Sequence, residues 1–246
     1  MSNLNFFNAL AVGHHNYLNT GRMFTFGSGV FENTFRDINS KLHIQNNDRL
    51  LDLGGGAGQL TAYFVKNCAH VVLADGAVEA LKLARLNLAA AGNVAYEQVD
   101  IQKLPLPFED NQFDKVICYS VIHYLADYDE FDRLIQELLR ITVKNGKILI
   151  GDIPLKEKYD ANLNERREHF VKNFILNLKY YGKKFVTNYL YHSRQINTNE
   201  VKGLSYTKPL IAEIMNKIPA VDYNFLLQNK KLPAADSRED LLITKK

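Results

Sequence analysis

Leu50-Leu51-Asp52-Leu53-Gly54-Gly55-Gly56-Ala57-Gly58 is the stretch from which the fold is read. An apolar run carrying one acid breaks into four glycines, and a helix-like segment, Gln59 to Asn67, follows at once. Glycine has no Cβ, so it permits tight turns and close approach of the backbone to a ligand. A strand that runs through glycines into a helix N-terminus is the usual crevice for a nucleotide-like ligand in α/β proteins. The dinucleotide fingerprint G-x-G-x-x-G, begun at Gly54, needs glycine at 59, where Gln59 stands. The spacing is instead Asp52-x-Gly54-x-Gly56-x-Gly58.

Outward from this loop the chain alternates strand and helix patterns. Val71 to Ala74 is a short apolar run ending in Asp75, and Val78 to Ala91 carries Leu81, Ala84, Leu88 and Ala91 at helical spacing before Gly92-Asn93. Val94 to Val99 reads as a strand ending in Asp100, and Phe113 to Cys118 as another. Phe131 to Val143 is an amphipathic helix closed by Lys144-Asn145-Gly146, and Lys147 to Gly151 is a strand ended by Asp152-Ile153-Pro154. Strands alternating with helices predict a parallel sheet with right-handed crossovers. Leu204 to Lys217 reads as a helix, and Val221 to Leu227 and Asp240 to Thr244 as two closing strands joined by a polar hairpin.

The segment 155–203 breaks the alternation. Asn164 to Tyr181 reads as one helix, and no clean strand precedes Phe185. The segment holds ten Lys/Arg against five Asp/Glu, and five of the 13 tyrosines, so its excess of +5 exceeds the +3 of the whole chain. That whole-chain charge is too weak to argue for nucleic acid. A length of 246 residues suits one large α/β domain, or one with an inserted segment. Cys68 and Cys118 are too few for a disulfide framework and lie far from any histidine pair, so no metal is expected. Met1 to Leu18 lacks a cationic start followed by an apolar block, and no apolar run approaches the roughly 18 residues of a spanning helix. A cytoplasmic protein, without membrane partner, is expected.

Five stretches now stand in order, and together they resemble the motifs of the class I S-adenosylmethionine-dependent methyltransferases, in particular their small-molecule branch. They are Asp52 to Gly58; Asp75 closing strand 2; Asp100-Ile101 closing strand 3; and the stretch Leu104 to Asp114, similar to the branch's LPFPDNSFD, with Ser120-Val121-Ile122-His123-Tyr124-Leu125 after strand 4. The resemblance implies a Rossmann-like, doubly wound α/β sheet of seven strands in the order 3-2-1-4-5-7-6, the last antiparallel. It implies a core of residues 45–154 and 204–246, an N-terminal helical lid over 1–44, and 155–203 as a substrate-binding insert after strand 5.

It also implies S-adenosylmethionine as the methyl donor, with S-adenosylhomocysteine as product. Backbone N–H groups at Gly54, Gly55 and Gly56 approach its methionine moiety. Asp75, 21 positions after Gly54, accepts from the ribose hydroxyls, with Gly76 beside it. Asp100 accepts from the adenine amino group while Ile101 covers the base. Asp52 orders the loop from below, and Tyr119 and Ser120 face the methionine amino group and the acceptor. One departure is Gly76-Ala77 after Asp75, where the family often has a hydroxyl two positions on that caps the next helix; without it Asp75 competes as a cap.

Methyl transfer needs a base only where the nucleophile is a hydroxyl or a protonated amine. His123, after strand 4 at the cavity mouth, is the first candidate for that base, against a packing role. His14, His15 and Tyr17 form a second cluster ahead of Gly21 to Gly29, a loop suited to a lid; Tyr17 is a catalytic candidate, His14 and His15 are candidates for acceptor binding, and the alternative is an N-terminal helix with surface histidines. Arg166, Arg167, Tyr180 and Tyr181 in the cationic insert suit a phosphate or carboxylate and a stacked ring, against a reading as solvated charge beside Glu165 and Glu168. The favoured acceptor is therefore small and anionic, such as a glycan precursor or nucleotide sugar, methylated on oxygen by a monomer or homodimer. The alternatives are a nucleic-acid or protein methyltransferase and a non-catalytic binder of the donor.

Overall fold

Strands buried on both faces of a parallel sheet read as nearly continuous apolar runs, and this chain supplies them. They are β1 (Arg49–Leu53), β2 (His70–Asp75), β4 (Phe113–Tyr119) and the long β5 (Thr142–Pro154). The edge strands are β3 (Val94–Gln98) on one side and β6 (Val221–Leu227) on the other, with β7 (Arg238–Lys245) just inside β6. The helices packed around the sheet include α1 (Gly29–Leu42), α2 (Thr61–Phe64), α3 (Val78–Asn87), α4 (Tyr128–Ile141) and α5 (Lys208–Asn216). The computed structural model describes residues 7, 8, 11, 29–160, 203–232 and 235–246.

The seven strands form one sheet in the order β3-β2-β1-β4-β5-β7-β6. β3 to β5 run parallel, and β7 is antiparallel to both β5 and β6. Successive residues alternate faces. Leu51, Val72, Val116 and Ile148 pack with Phe131, Leu134, Leu138, Ile211 and Met215 of α4 and α5. Their neighbours Leu50, Val71, Ile117 and Leu149 pack with Ile38, Leu42 and Phe64 of α1 and α2. Each such side chain removed from water contributes on the order of 1.5–3 kcal/mol. This is the doubly wound Rossmann-like sheet that the motifs imply.

Side-chain hydrogen bonds move the element ends from where periodicity puts them. α2 shrinks from the expected 59–67 to Thr61–Phe64, because the Thr61 hydroxyl turns to Asp52 at 2.7 Å and the Asn67 amide closes the far end on the Tyr63 carbonyl, also at 2.7 Å. α4 begins at Tyr128 rather than Phe131, because Asp127 accepts from the Glu130 N–H at 2.8 Å while Glu130 reaches back to the Ala126 N–H at 2.8 Å, a reciprocal cap. α5 begins only after Thr207, its N-cap. Leu204 to Tyr206 are extended instead: Tyr206 bridges Leu155 in parallel and the Leu204 N–H donates to the His123 carbonyl at 2.7 Å. The Lys144-Asn145-Gly146 turn sits inside β5, where the register against β4 shifts.

Of the expected N-terminal lid, the described part is Phe7, Asn8, Ala11 and residues 29–44, which hold α1; of the expected insert, it is residues 155–160 and Gly203. The expected helix Asn164 to Tyr181, most of the loop Gly21 to Gly29, and the candidates His14, His15, Tyr17, Arg166, Arg167, Tyr180 and Tyr181 lie outside the described residues.

Candidate active site

Ligands of doubly wound sheets bind beyond the C-terminal ends of the parallel strands. Here those ends enclose a cavity of about 320 Å³. Its floor is the loop after β1. Gly54 has φ of +78°, and a Cβ there would lie 2.3 Å from Val121 Cγ2, so only glycine lets the loop and the segment after β4 approach. Gly56 has φ of +57°, and a Cβ there would meet nothing within 4 Å, so its backbone opens on the cavity.

Two acids hold this loop. Asp52, 2 % exposed, accepts from the Thr61 hydroxyl and so ties the end of β1 to α2. Asp75 Oδ2 accepts from the Gly56 N–H and Oδ1 from the Ala77 N–H, both at 2.8 Å. It therefore forms the turn that leads into α3 without serving as the helix N-cap, a position that falls to Ala77, and it still lines the cavity. Burial pushes the Asp75 carboxyl up, against the pull of those two N–H groups. A carboxylate has about four lone-pair sites, so two remain. The α3 N-terminus has no side-chain cap at Ala77, and Asn8 supplies an acceptor from the N-terminal segment, taking the Glu79 N–H at 3.1 Å.

The adenine-side expectations meet in one corner. Asp100 and Ile101 line the cavity after β3. Asp100 is also a turn former: its Oδ1 accepts from the Gln102 N–H at 3.1 Å, and Lys103 Nζ lies 3.6 Å from Oδ2. Glu137 of α4 fastens the chain that follows, accepting from the Leu106 N–H at 2.7 Å and from Arg140 Nη2 at 2.6 Å. Burial would raise the Glu137 carboxyl, but these bonds together hold it below the usual range.

Beyond β4 the backbone is strained. Ser120 and Asp152 are both non-glycine residues at positive φ, 60° and 62°, and the Ser120 hydroxyl donates to Asp152 Oδ2. Such conformations cost about 1–3 kcal/mol each and gather at functional sites. Asp152 owes its place to a bulge: between the pairs Ile150–Leu241 and Ile153–Glu239, β5 has one residue more than β7. Its N–H donates to Asp240 Oδ1 at 2.9 Å. Tyr119 is buried, and its hydroxyl accepts from Gln228 Nε2 at 3.0 Å. His123 lies in the 3₁₀ turn Ile122–Tyr124, lines the cavity, and sets its ring 4.0 Å from that of Tyr124. The Tyr206 hydroxyl, donating to the Ile122 carbonyl at 2.8 Å, pins that turn from behind. Phe7 crosses to Tyr124 edge to face at 4.8 Å, at the cavity wall. The described residues contain no metal-binding cluster of His, Cys, Asp and Glu.

Residues 51–150 match a family model described as a methyltransferase domain. Over 130 residues the chain is 34% identical to the ubiquinone/menaquinone biosynthesis C-methyltransferase UbiE of Pseudomonas paraeruginosa, covering 48% of this chain and 49% of that protein. The chain thus spans about half the length of the curated relatives it matches. Among solved structures it is similar in fold to a SAM-dependent methyltransferase from Leishmania major, with a TM-score of 0.66 at 14% identity over 98% of this chain and 81% of that one. It is similar also to the N-methyltransferase NodS of Bradyrhizobium japonicum, solved with S-adenosylhomocysteine, with a TM-score of 0.63 at 12% identity over 100% of this chain and 99% of that one.

Within the matched stretch, Asp52, Gly54, Gly55, Gly56, Asp75, Gly76, Asp100, Ile101, Tyr119, Ser120 and His123 all line the one cavity. Asp152 and Arg238, which sequence reasoning did not select, line it too. For Asp152 the signal was its place just past the end of a parallel strand. For Arg238 it was masked by a strand start placed at Asp240 rather than at Arg238.

Proposed function

We propose that this protein binds S-adenosylmethionine over the glycine loop and transfers its methyl group to a small acceptor. One observation carries the reading: Asp75 clamps the Gly56 N–H and the turn into α3 at once, with two lone-pair sites to spare beside an open backbone. Those sites suit the paired hydroxyls of a ribose, and Ile101 and Val99 offer an apolar wall for a base, with Asp100 at its edge. The donor, when bound, supplies an electrophilic methyl group on a sulfonium. The protein's part is alignment, which contributes several kcal/mol when a bimolecular step becomes intramolecular. Ser120 and Tyr119 hold the methionine end, and Phe7 and Tyr124 exclude water from the wall.

The finer reading is O-methylation of a small anionic acceptor, with His123 taking the hydroxyl proton on an imidazole nitrogen. The cationic composition of 155–203 supports the anion, and the place of His123 on the cavity wall supports the base. The curated relatives are named as C-methyltransferases, which favours carbon as the second reading for the methylated atom. We place the enzyme in the cytoplasm: both cysteines are free and buried, and burial pushes each thiol up to about 12. Among the described residues no helix is long and apolar enough to cross a membrane. Calorimetry with S-adenosylmethionine, followed by methyl release over candidate acceptors, tests the reading: one bound donor per chain and acceptor-dependent S-adenosylhomocysteine support it, and no donor binding overturns it.

A further inference from the structure

Arg238 begins β7, and because β7 runs antiparallel to β5 its first residue stands opposite Pro154, at the end of the sheet where the cavity opens. Four strand spacings separate β2, which ends in Asp75, from β7; at about 4.8 Å each this is roughly 19 Å across the sheet. Arg238 Nη1 donates to the Asp152 carbonyl at 2.9 Å, which fixes the guanidinium on the bulge. That bond uses one of five donors, and its acceptor is neutral.

The carboxylates beside it on the two strands are engaged by other groups. Ser120 donates to the Asp152 carboxylate. Lys158 and Lys208 pair with Glu239 at 2.8 and 2.7 Å. Lys41 at 2.7 Å and Gln228 at 2.9 Å hold Asp240. Among the described residues Arg238 forms no ion pair. A half-buried cation calls for an opposite charge, and the guanidinium fork is shaped for a carboxylate or phosphate.

We propose that Arg238 is the anion-binding residue of the cavity and that it takes a carboxylate or phosphate of the bound ligands at the end remote from Asp75 and Asp100. The proposal rests on the methyl-donor reading for the identity of those ligands. Two sources share this chemistry: the anionic group of the acceptor and the methionine carboxylate of the donor.

Calorimetry on the whole chain separates them. Wild type, Arg238→Gln and Arg238→Lys are titrated with S-adenosylhomocysteine and with 5′-methylthioadenosine, which lacks the amino-acid end. Inorganic phosphate and benzoate are then titrated into each protein, unliganded and saturated with S-adenosylhomocysteine. At least a tenfold loss of S-adenosylhomocysteine affinity in Arg238→Gln, with methylthioadenosine unchanged, places the donor's carboxylate on Arg238. Phosphate or benzoate binding to the saturated wild type, abolished in Arg238→Gln while S-adenosylhomocysteine binds as before, places the acceptor's anion there. Arg238→Lys keeps the charge without the fork, so about a tenfold loss of the same ligand is expected; it also carries the test should Arg238→Gln unfold. Affinities for all four ligands that match wild type in the folded variants overturn the proposal. A wild type that binds no S-adenosylhomocysteine overturns the methyl-donor reading, and the anion titrations of the unliganded protein then decide Arg238 alone.

Discussion

Asp75 serves the apo fold and the expected ligand with different lone pairs of one carboxylate. Replacing it by alanine removes the acceptor of the Gly56 and Ala77 N–H groups as well as that of the ribose. Asp75→Ala is expected to weaken S-adenosylhomocysteine binding by about 1–3 kcal/mol, the scale of hydrogen bonds to a charged group; an unchanged dissociation constant removes Asp75 from the site. Burial raises its carboxyl above the ordinary value, so the proton is held more tightly by the folded chain than by the unfolded one. Protonation then favours the folded state on the acid side but spends an acceptor, and donor affinity falls on acidification at a pH above the ~3.9 of a free aspartate. His123→Ala is expected to lower turnover about 100-fold, the lower range of general-base effects, with S-adenosylhomocysteine affinity within about twofold. A loss below tenfold leaves the imidazole as packing against Tyr124.

At the scale of elements, what periodicity reveals and what it hides divide by mechanism. Apolar alternation and the glycines mark β1, β2, β4 and the loop after β1, because a strand buried on both faces has few other ways to be written. Caps are harder to place, since they depend on which oxygen a side chain finds: Asp127 starts α4 one turn before its apolar pattern begins. Asp127→Ala is expected to cost about 1 kcal/mol in urea unfolding, and a change below a few tenths contradicts the reciprocal cap. The bulge at Asp152 was beyond the reach of pattern, because an inserted residue is defined only by its partner strand. Arg238 was hidden for the same reason: its place in the cavity follows from the antiparallel register of β7 against β5.

At the scale of the molecule, buried charge joins the closing strands to the core. Glu239 of β7, 2 % exposed, receives Lys158 from beyond β5 and Lys208 from α5. Burial would raise its carboxyl, but the two lysines outweigh it and hold it below the usual range. The stability this provides is therefore present above the unfolded value of about 4.3 and lost as pH falls through the folded one. Glu239→Gln is expected to be less stable than wild type by about 1–3 kcal/mol near pH 7, with the gap closing below about pH 4; a gap independent of pH contradicts the ion pairs. On the other side of β7, Asp240, Lys41 and Asp37 tie α1 to the sheet, and Asp240 also accepts from the Asp152 N–H, so α1 is anchored behind the strained corner of the cavity.

One cavity, floored by Gly54 to Gly56 and lined by Asp75, is expected to hold the methyl donor. A crystal structure of the protein grown with S-adenosylhomocysteine tests it most directly. The ribose hydroxyls are expected on Asp75, the adenine beside Asp100 and Ile101, and the homocysteine end toward Ser120. Density for the ligand elsewhere, or a glycine loop collapsed into the cavity with Asp75 turned away, contradicts it.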